Sequence, residues 1–321
     1  MNGIPIRGQG NHHMLKRGPS DQRITEAEAL DIHYHDTTEQ SLKRMKTAGF
    51  VVFKSLLSPE ELDGMRRLMD ETGGDDEAHY RQGHYGKTEN DPDFRSFNKH
   101  IGQPFLLHKN FMGIVSRQPA IEVIEGIHGY GTRLIGGSIW ITGSGRYPMG
   151  LHIDYLPFAL PEHVASDPRV DIPIMISTLH YYLDDLTMEF GPTLVVEGSH
   201  KSGRVPHEDT GWNGNPCRAL VCKAGDALLF RSDLWHGALP NTSQQRRYML
   251  QVHYGCAYIE RTFSSPFKKQ SDFPPDILAG CDERQRRLLG ERQEGFPVPQ
   301  GSYILRQGLQ HFHEDRQWHQ K

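Results

Sequence analysis

A chain of 321 residues, with 36% hydrophobic, 9% aromatic and 24% charged residues, has the composition of an ordinary globular protein and enough apolar material for a large core. A formal net charge of −4 without any lysine- or arginine-rich run argues against a nucleic-acid footprint, and no apolar stretch approaches the length of a membrane span. Cys217, Cys222, Cys256 and Cys281 are too few for a disulfide scaffold and fit no zinc spacing, and the amino-terminal stretch lacks the apolar segment of a secretory signal, so the expectation is a cytoplasmic protein with reduced thiols.

In chain order, residues 1–25 are polar and glycine-rich without periodicity and predict a flexible arm; 26–321 then form one domain, with a core at about 38–262 and a carboxy-terminal extension from 263. The stretch TTEQSLKRMKTAGFVVFKSLLSPEELDGMRRLMDE (37–71) reads as helix, strand, helix. GFVVF is the β-branched run, and the second helix opens at Ser58 with Pro59 at its first position and Glu61 three residues in, a capping box. Residues 73–115 are polar and histidine-rich and predict an insertion or a lid. QPAIEVIEGIHG (118–129) predicts a short helix.

Beyond residue 130 the texture changes to strands. SIWIT (138–142), GLHID (150–154), IPIMISTLHYYL (172–183), TLVVEG (193–198), RALVC (218–222), DALLF (226–230) and RRYMLQVHYG (246–255) are short, β-rich and punctuated by Gly, Pro, Asn and Asp. Short strands without intervening helices predict a sandwich or barrel. The tail is charged and loop-like, with one helix expected near CDERQRRLLGERQ (281–293).

LHIDY (151–155) carries the chemistry. On a strand, His152 and Asp154 point from the same face. His-x-Asp recurs at 207–209 and 313–315, so the tripeptide alone says little in a chain with 19 histidines. A non-haem iron centre uses two histidines and one carboxylate on one face of an octahedron, so a third ligand should come from a distant strand. His236, at a strand-turn in LLFRSDLWHGALPNTSQQRRYMLQVHYG, answers that need. Arg247 lies eleven residues later, where a turn and partner strand return it beside the histidine, and a guanidinium there could hold a carboxylate bidentately. Its neighbour Arg246 would face the other way. The copies at 207 and 313 lack such company and read as surface groups.

Together these motifs resemble the phytanoyl-CoA dioxygenase family of iron(II)/2-oxoglutarate oxygenases over roughly residues 38–262. GFVVFKSLLSPEEL (49–62), LHIDY, LDDLTMEFGPTLVVEGSHKSG (183–203) and WHGALPNTSQQRR (235–247) are similar to the family's segments in the same order. The resemblance implies a mainly β double-stranded β-helix, a cupin-like jelly roll with flanking helices. It implies Fe(II) on His152, Asp154 and His236, with 2-oxoglutarate as cosubstrate, its far carboxylate on Arg247 and a hydroxyl from Thr193, and O2 as oxidant. Met149 stands where many members have Gln. A complete triad implies hydroxylation of a small molecule, or desaturation or cyclisation, instead of halogenation. Trp140, Arg146, Tyr155 and Trp235 are expected at the substrate mouth, Arg146 for an anionic substrate. His180 and His253 are expected to be satisfied core histidines, and the HYH (33–35) and HFH (311–313) clusters solvated surface. Two other classes remain open at this point: a non-catalytic ligand-binding relative, and a zinc or nickel cupin-like enzyme that would not need Arg247.

Overall fold

The computed structural model describes residues 24–34, 37–81, 83–156, 158–257, 259 and 273–291. In chain order the strands are β1 (Glu28–Ala29), β2 (Phe50–Phe53), β3 (Tyr80–Arg81), β4 (Ser96–Gly102), β5 (Arg133–Thr142), β6 (Met149–His152) and β7 (Ile176–Tyr182). They continue with β8 (Thr193–Val195), β9 (Gly211–Trp212), β10 (Asn215–Pro216), β11 (Arg218–Ala219), β12 (Ala227–Arg231), β13 (His236–Ala238) and β14 (Arg247–Gly255). The helices are α1 (Thr38–Thr47), α2 (Pro59–Glu71), α3 (Ala120–His128), the single turn α4 (Glu162–Ala165), α5 (Pro275–Ala279) and α6 (Glu283–Leu288). No helix among the described residues is long and apolar enough to cross a membrane.

Local chemistry explains the helical ends. Ser58 Oγ accepts from the Glu61 amide while the Glu61 carboxylate accepts from the Ser58 amide at 2.8 Å, the reciprocal capping expected before α2. Asp282 and Gln285 repeat the device at α6. After α1 the chain reverses into β2 at Gly49, whose φ of +92° and closeness to Leu234 and His200 leave no room for a side chain.

The strands form a seven-stranded sheet in the order β2-β12-β7-β14-β5-β4-β3 and a five-stranded sheet in the order β1-β11-β8-β13-β6. Non-consecutive neighbours, antiparallel pairing and two sheets packed face to face make this a jelly-roll double-stranded β-helix. Alternation divides the larger sheet cleanly. Val51, Phe53, Ile139, Ile141, Leu179, Tyr181, Leu229, Leu250, Val252 and Tyr254 face outwards into a core closed by Met45 of α1, Leu62 and Met69 of α2, and Ile121 and Ile124 of α3. Tyr181 and Tyr254 complete that core without leaving polar atoms stranded, donating to the carbonyls of Ile114 and Val115 at 2.7 and 2.8 Å. Phe50, Val52, Leu228, Phe230, Tyr182 and Met249 face inwards toward Val195 of the smaller sheet and Leu220, which follows β11.

Three expectations are corrected. Residues 73–115 are not a mere insertion or lid, because β4 lies within them and pairs with β5 from Asn98↔Thr142 to Gly102↔Ser138. Their polarity hid the strand: even Lys99 is fully buried, its ammonium donating to the Asp70 carbonyl at 2.6 Å. The arm expected over residues 1–25 does not include Ile24, which is fully buried against the smaller sheet; residues 1–23 lie outside the described residues. Within the extension from 263, Phe273, Ile277, Leu288 and Leu289 enter the outer core, so this stretch is not simply loop-like.

Candidate active site

β6 and β13 run antiparallel with His152 directly opposite His236, so the pairing register sets two imidazoles side by side, ring centroids 4.2 Å apart. Gly237 permits the approach: a Cβ there would sit 2.5 Å from the Met149 carbonyl. Each ring is held by the carbonyl two residues upstream, His152 Nδ1 on Gly150 at 3.0 Å and His236 Nδ1 on Leu234 at 3.0 Å. A carbonyl only accepts, so both Nδ1 atoms carry the proton and both Nε2 atoms present a lone pair. Asp154 reaches this pair from outside the strand. β6 stops at His152, and the chain turns where the Asp154 and Tyr155 amides both donate to the Ser232 carbonyl at 3.0 Å, so the expected strand to 154 is two residues too long. The turn leaves Asp154 Oδ1 3.6 Å from His236 Nε2 and 4.0 Å from His152 Nε2. Its other oxygen accepts from Thr178 Oγ1 at 3.4 Å. Having spent its proton on Asp154, Thr178 accepts from His253 Nδ1–H at 3.0 Å, and Ser232 Oγ lies 3.2 Å away.

His152, Asp154 and His236 offer ligand atoms all within 4.8 Å of one another, the one such group among the described residues. Burial holds the His236 imidazole down to about 4, with Asp154 opposing, so the ring is neutral and its lone pair is available at neutral pH. Two imidazole nitrogens and one carboxylate oxygen converging on one side are the donor set of a non-haem iron centre with open positions. Of the competing His-x-Asp copies, Asp209 is ion-paired to Arg204 at 2.8 Å, and the copy at 313–315 lies outside the described residues, as does the HFH cluster.

A cavity of about 200 Å³ opens from this group between the two sheets. Arg247, the first residue of β14, lines it while nearly buried at 6% exposure. One guanidinium N–H donates to the Gly191 carbonyl, which a turn with φ of +67° presents, and Nε is buried without an acceptor. Among the described residues no carboxylate forms an ion pair with this guanidinium, and burial lowers it to about 10. A buried cation with an orphaned donor is an unfinished site for an anion. Arg246 faces the other way, on Asp76 at 2.7 Å and over the Phe97 ring.

Thr193 also lines the cavity and ends a chain of hydrogen bonds whose direction is fixed by donor and acceptor chemistry. Trp140 Nε1–H donates to Gln251 Oε1 at 3.1 Å, and Gln251 Nε2–H donates to His180 Nε2 at 3.1 Å. His180 Nδ1–H then faces Tyr182 Oη at 3.4 Å, and Tyr182 Oη–H donates to Thr193 Oγ1 at 2.8 Å. The Thr193 proton is therefore left to donate onward.

His180 and His253 were expected in an apolar core, yet both line the cavity. Burial pushes both imidazoles down, so they act as neutral hydrogen-bonding groups. His100, which sequence reasoning passed over, joins them with its ring stacked on Trp140 at 3.8 Å. The available signal was the alternation along β14, where Arg247, Met249, Gln251 and His253 all fall on one face. Trp140 and Arg146 line the cavity, and so does Met149. Trp235 and Tyr155 do not. Trp235 neighbours His236 and so points from the opposite face, where it is fully buried with Leu194 and Ala219; Tyr155 is 44% exposed.

The family model for phytanoyl-CoA dioxygenase matches residues 45–249. An uncharacterized protein of Mycobacterium tuberculosis is 30% identical over 144 residues, covering 42% of this chain and 49% of its own length. The chain thus spans about half the length of that relative. The dioxygenase olcK of Penicillium canescens is 26% identical over 217 residues, 63% of this chain and 66% of that one. Among solved structures, HygX from Streptomyces hygroscopicus with nickel, 2-oxoglutarate and hygromycin B bound superposes with a TM-score of 0.53. It covers 70% of this chain and 90% of HygX at 16% identity, a likeness of fold.

Proposed function

Because the chain belongs to the phytanoyl-CoA dioxygenase family, we propose that it is an iron(II)- and 2-oxoglutarate-dependent dioxygenase that hydroxylates a small organic molecule. One observation carries this reading: the two-histidine, one-carboxylate group shares a cavity with a buried guanidinium that pairs with no carboxylate among the described residues. His152, Asp154 and His236 would hold the iron, and the orphaned Nε of Arg247 supports that residue as the clamp for the far carboxylate of 2-oxoglutarate. When bound, the metal and cosubstrate supply an oxidant by using O2 to convert 2-oxoglutarate to succinate and carbon dioxide.

The protein's own share is placement. The carbonyls of Gly150 and Leu234 hold the two imidazoles in the tautomer that leaves Nε2 free, and Thr178 orients the Asp154 carboxylate by its second oxygen. The chain from Trp140 to Thr193 would leave a hydroxyl donor free for the cosubstrate. A zinc or nickel cupin-like enzyme has no use for a buried Arg247 whose Nε lacks an acceptor among the described residues, which favours the oxygenase reading. Four free, buried cysteines suit a reducing, cytoplasmic setting.

The test is succinate release from 2-oxoglutarate by Fe(II)-loaded protein in air without added substrate, compared with His236→Ala. Slow succinate formation that requires Fe(II) and is absent in the variant is expected; none under any condition would favour a non-catalytic ligand-binding protein. Once a substrate is found, a product that has gained one oxygen supports hydroxylation, and one that has lost two hydrogens supports desaturation or ring closure.

A further inference from the structure

The cavity carries one charge more than the proposed function uses. Of the residues lining it, Asp154 is the single carboxylate, whereas Arg247 and Arg146 are both guanidiniums. With the reading above in place, a dication and Arg247 balance Asp154 and the two carboxylates of 2-oxoglutarate. Arg146 remains as one uncompensated positive charge.

Arg146 is not there by looseness of a surface loop. Its backbone is stitched between β5 and β6, donating to Gly143 at 3.3 Å and accepting from the Asn241 amide at 3.1 Å. The loop at 83–85 packs over its flanks: the Tyr85 amide donates to the Gly145 carbonyl at 2.8 Å, and the His84 ring lies against Gly145 with no room for a Cβ. The side chain itself makes one bond, from Nη1 to the Tyr147 carbonyl at 2.7 Å, and meets no carboxylate among the described residues. Burial alone pulls it below the usual arginine value, with no anion offsetting that loss. A guanidinium held half-bonded in a cavity wall is a carboxylate receptor in search of its ligand. The same cavity is lined by the His100–Trp140 stack and by Met149 and Met249.

We propose that the substrate is a small organic acid whose carboxylate is held by Arg146, with its apolar or aromatic body against the His100–Trp140 stack, while 2-oxoglutarate occupies Arg247. This rests on the oxygenase reading and adds the substrate class to it. The substrate's negative charge completes the balance.

The test is calorimetric titration, without oxygen, of protein loaded with Fe(II) and 2-oxoglutarate. The probes are benzoate and butyrate against their neutral amides, benzamide and butyramide. At least one acid is expected to bind about tenfold or more tightly than its amide, the worth of a charge-assisted hydrogen bond. Arg146→Met should abolish that preference while changing 2-oxoglutarate affinity less than about twofold, and Arg146→Lys should keep part of it. Acids binding no better than amides would overturn the proposal. So would an Arg146→Met protein that retains the preference, or one that loses 2-oxoglutarate instead, which would make Arg146 a second clamp on the cosubstrate. Wild-type protein that binds no 2-oxoglutarate would overturn the oxygenase reading beneath it.

Discussion

The two faces of β5, β7 and β14 are built from alternate residues of the same strands, both are buried, and they have opposite chemistry. Outwards, Ile139, Ile141, Leu179, Tyr181, Leu250, Val252 and Tyr254 fill the space beneath the helices. Inwards, Trp140, Thr142, His180, Arg247, Gln251 and His253 line the cavity, and Gln251 hydrogen-bonds both Trp140 and His180. Apolar burial is the dominant favourable term in folding, whereas buried polar groups at best offset their own desolvation. The outer face therefore holds the sheet in place, and the inner face uses that rigidity to hold a polar constellation that would not be chosen for stability. Substitutions on the two faces should separate accordingly.

The largest effect is expected at the smaller sheet's contribution to the inner site. His236→Ala should lower Fe(II) affinity by about 100-fold or more, beyond what loss of a supporting residue costs, with the fold intact by circular dichroism. Equal iron binding in wild type and variant would break the assignment. On the larger sheet, Arg247→Met should weaken 2-oxoglutarate binding by about 100-fold, because it removes the partner of a buried carboxylate, and should leave iron binding without cosubstrate unchanged. Three residues along the same strand and on the outer face, Leu250→Ala should cost about 2–5 kcal/mol in urea unfolding and leave iron affinity unchanged. A Leu250→Ala protein that unfolds like wild type but binds iron poorly would reverse the comparison.

Two smaller effects sharpen it. Thr178→Val should reduce iron affinity about tenfold, with Thr178→Ser restoring it, because the hydroxyl and not the bulk orients Asp154. On the outer face, His128 is buried with Nε2 on Ser177 Oγ at 2.8 Å, and burial lowers its pKa to about 4. Its unfolded value is near the ordinary 6.5, so the unfolded chain takes up the proton first. The associated stability is fully present above pH 6.5 and is lost as pH falls toward 4, by roughly 1.4 kcal/mol per pH unit. His128→Gln should flatten the dependence of the urea midpoint on pH between 6.5 and 4.5; an unchanged slope would contradict this account.

How much of this was legible in the chain follows from the same two faces. The helix starts were plain because capping is local: Ser58 and Glu61 lie three residues apart and satisfy one another. β2, β5, β7, β12 and β14 were plain because each is a short β-rich run between turn residues. His152, Asp154, His236 and Arg247 could be picked out together because their order and spacing matched a family pattern, and the structure brings them to one cavity. What the chain concealed was which face of a strand looks inward. His180 and His253 sit among apolar residues whether they line a cavity or pack a core, so burial alone could not distinguish the two. Trp235 shows the converse: its place next to His236 made it look like a site residue, although period-two alternation sends it to the far side. Lys99 and the rest of β4 escaped because a polar sequence can still pair as a strand when its neighbour supplies the ladder.

The proposed iron site consists of His152, Asp154 and His236. An anomalous difference map at the iron edge, from crystals grown with Fe(II) under argon, tests it most directly. The account predicts a single strong peak within about 2.2 Å of His152 Nε2, His236 Nε2 and an Asp154 oxygen. A peak bonded to other residues, or none at this site in crystals that contain iron, would contradict it.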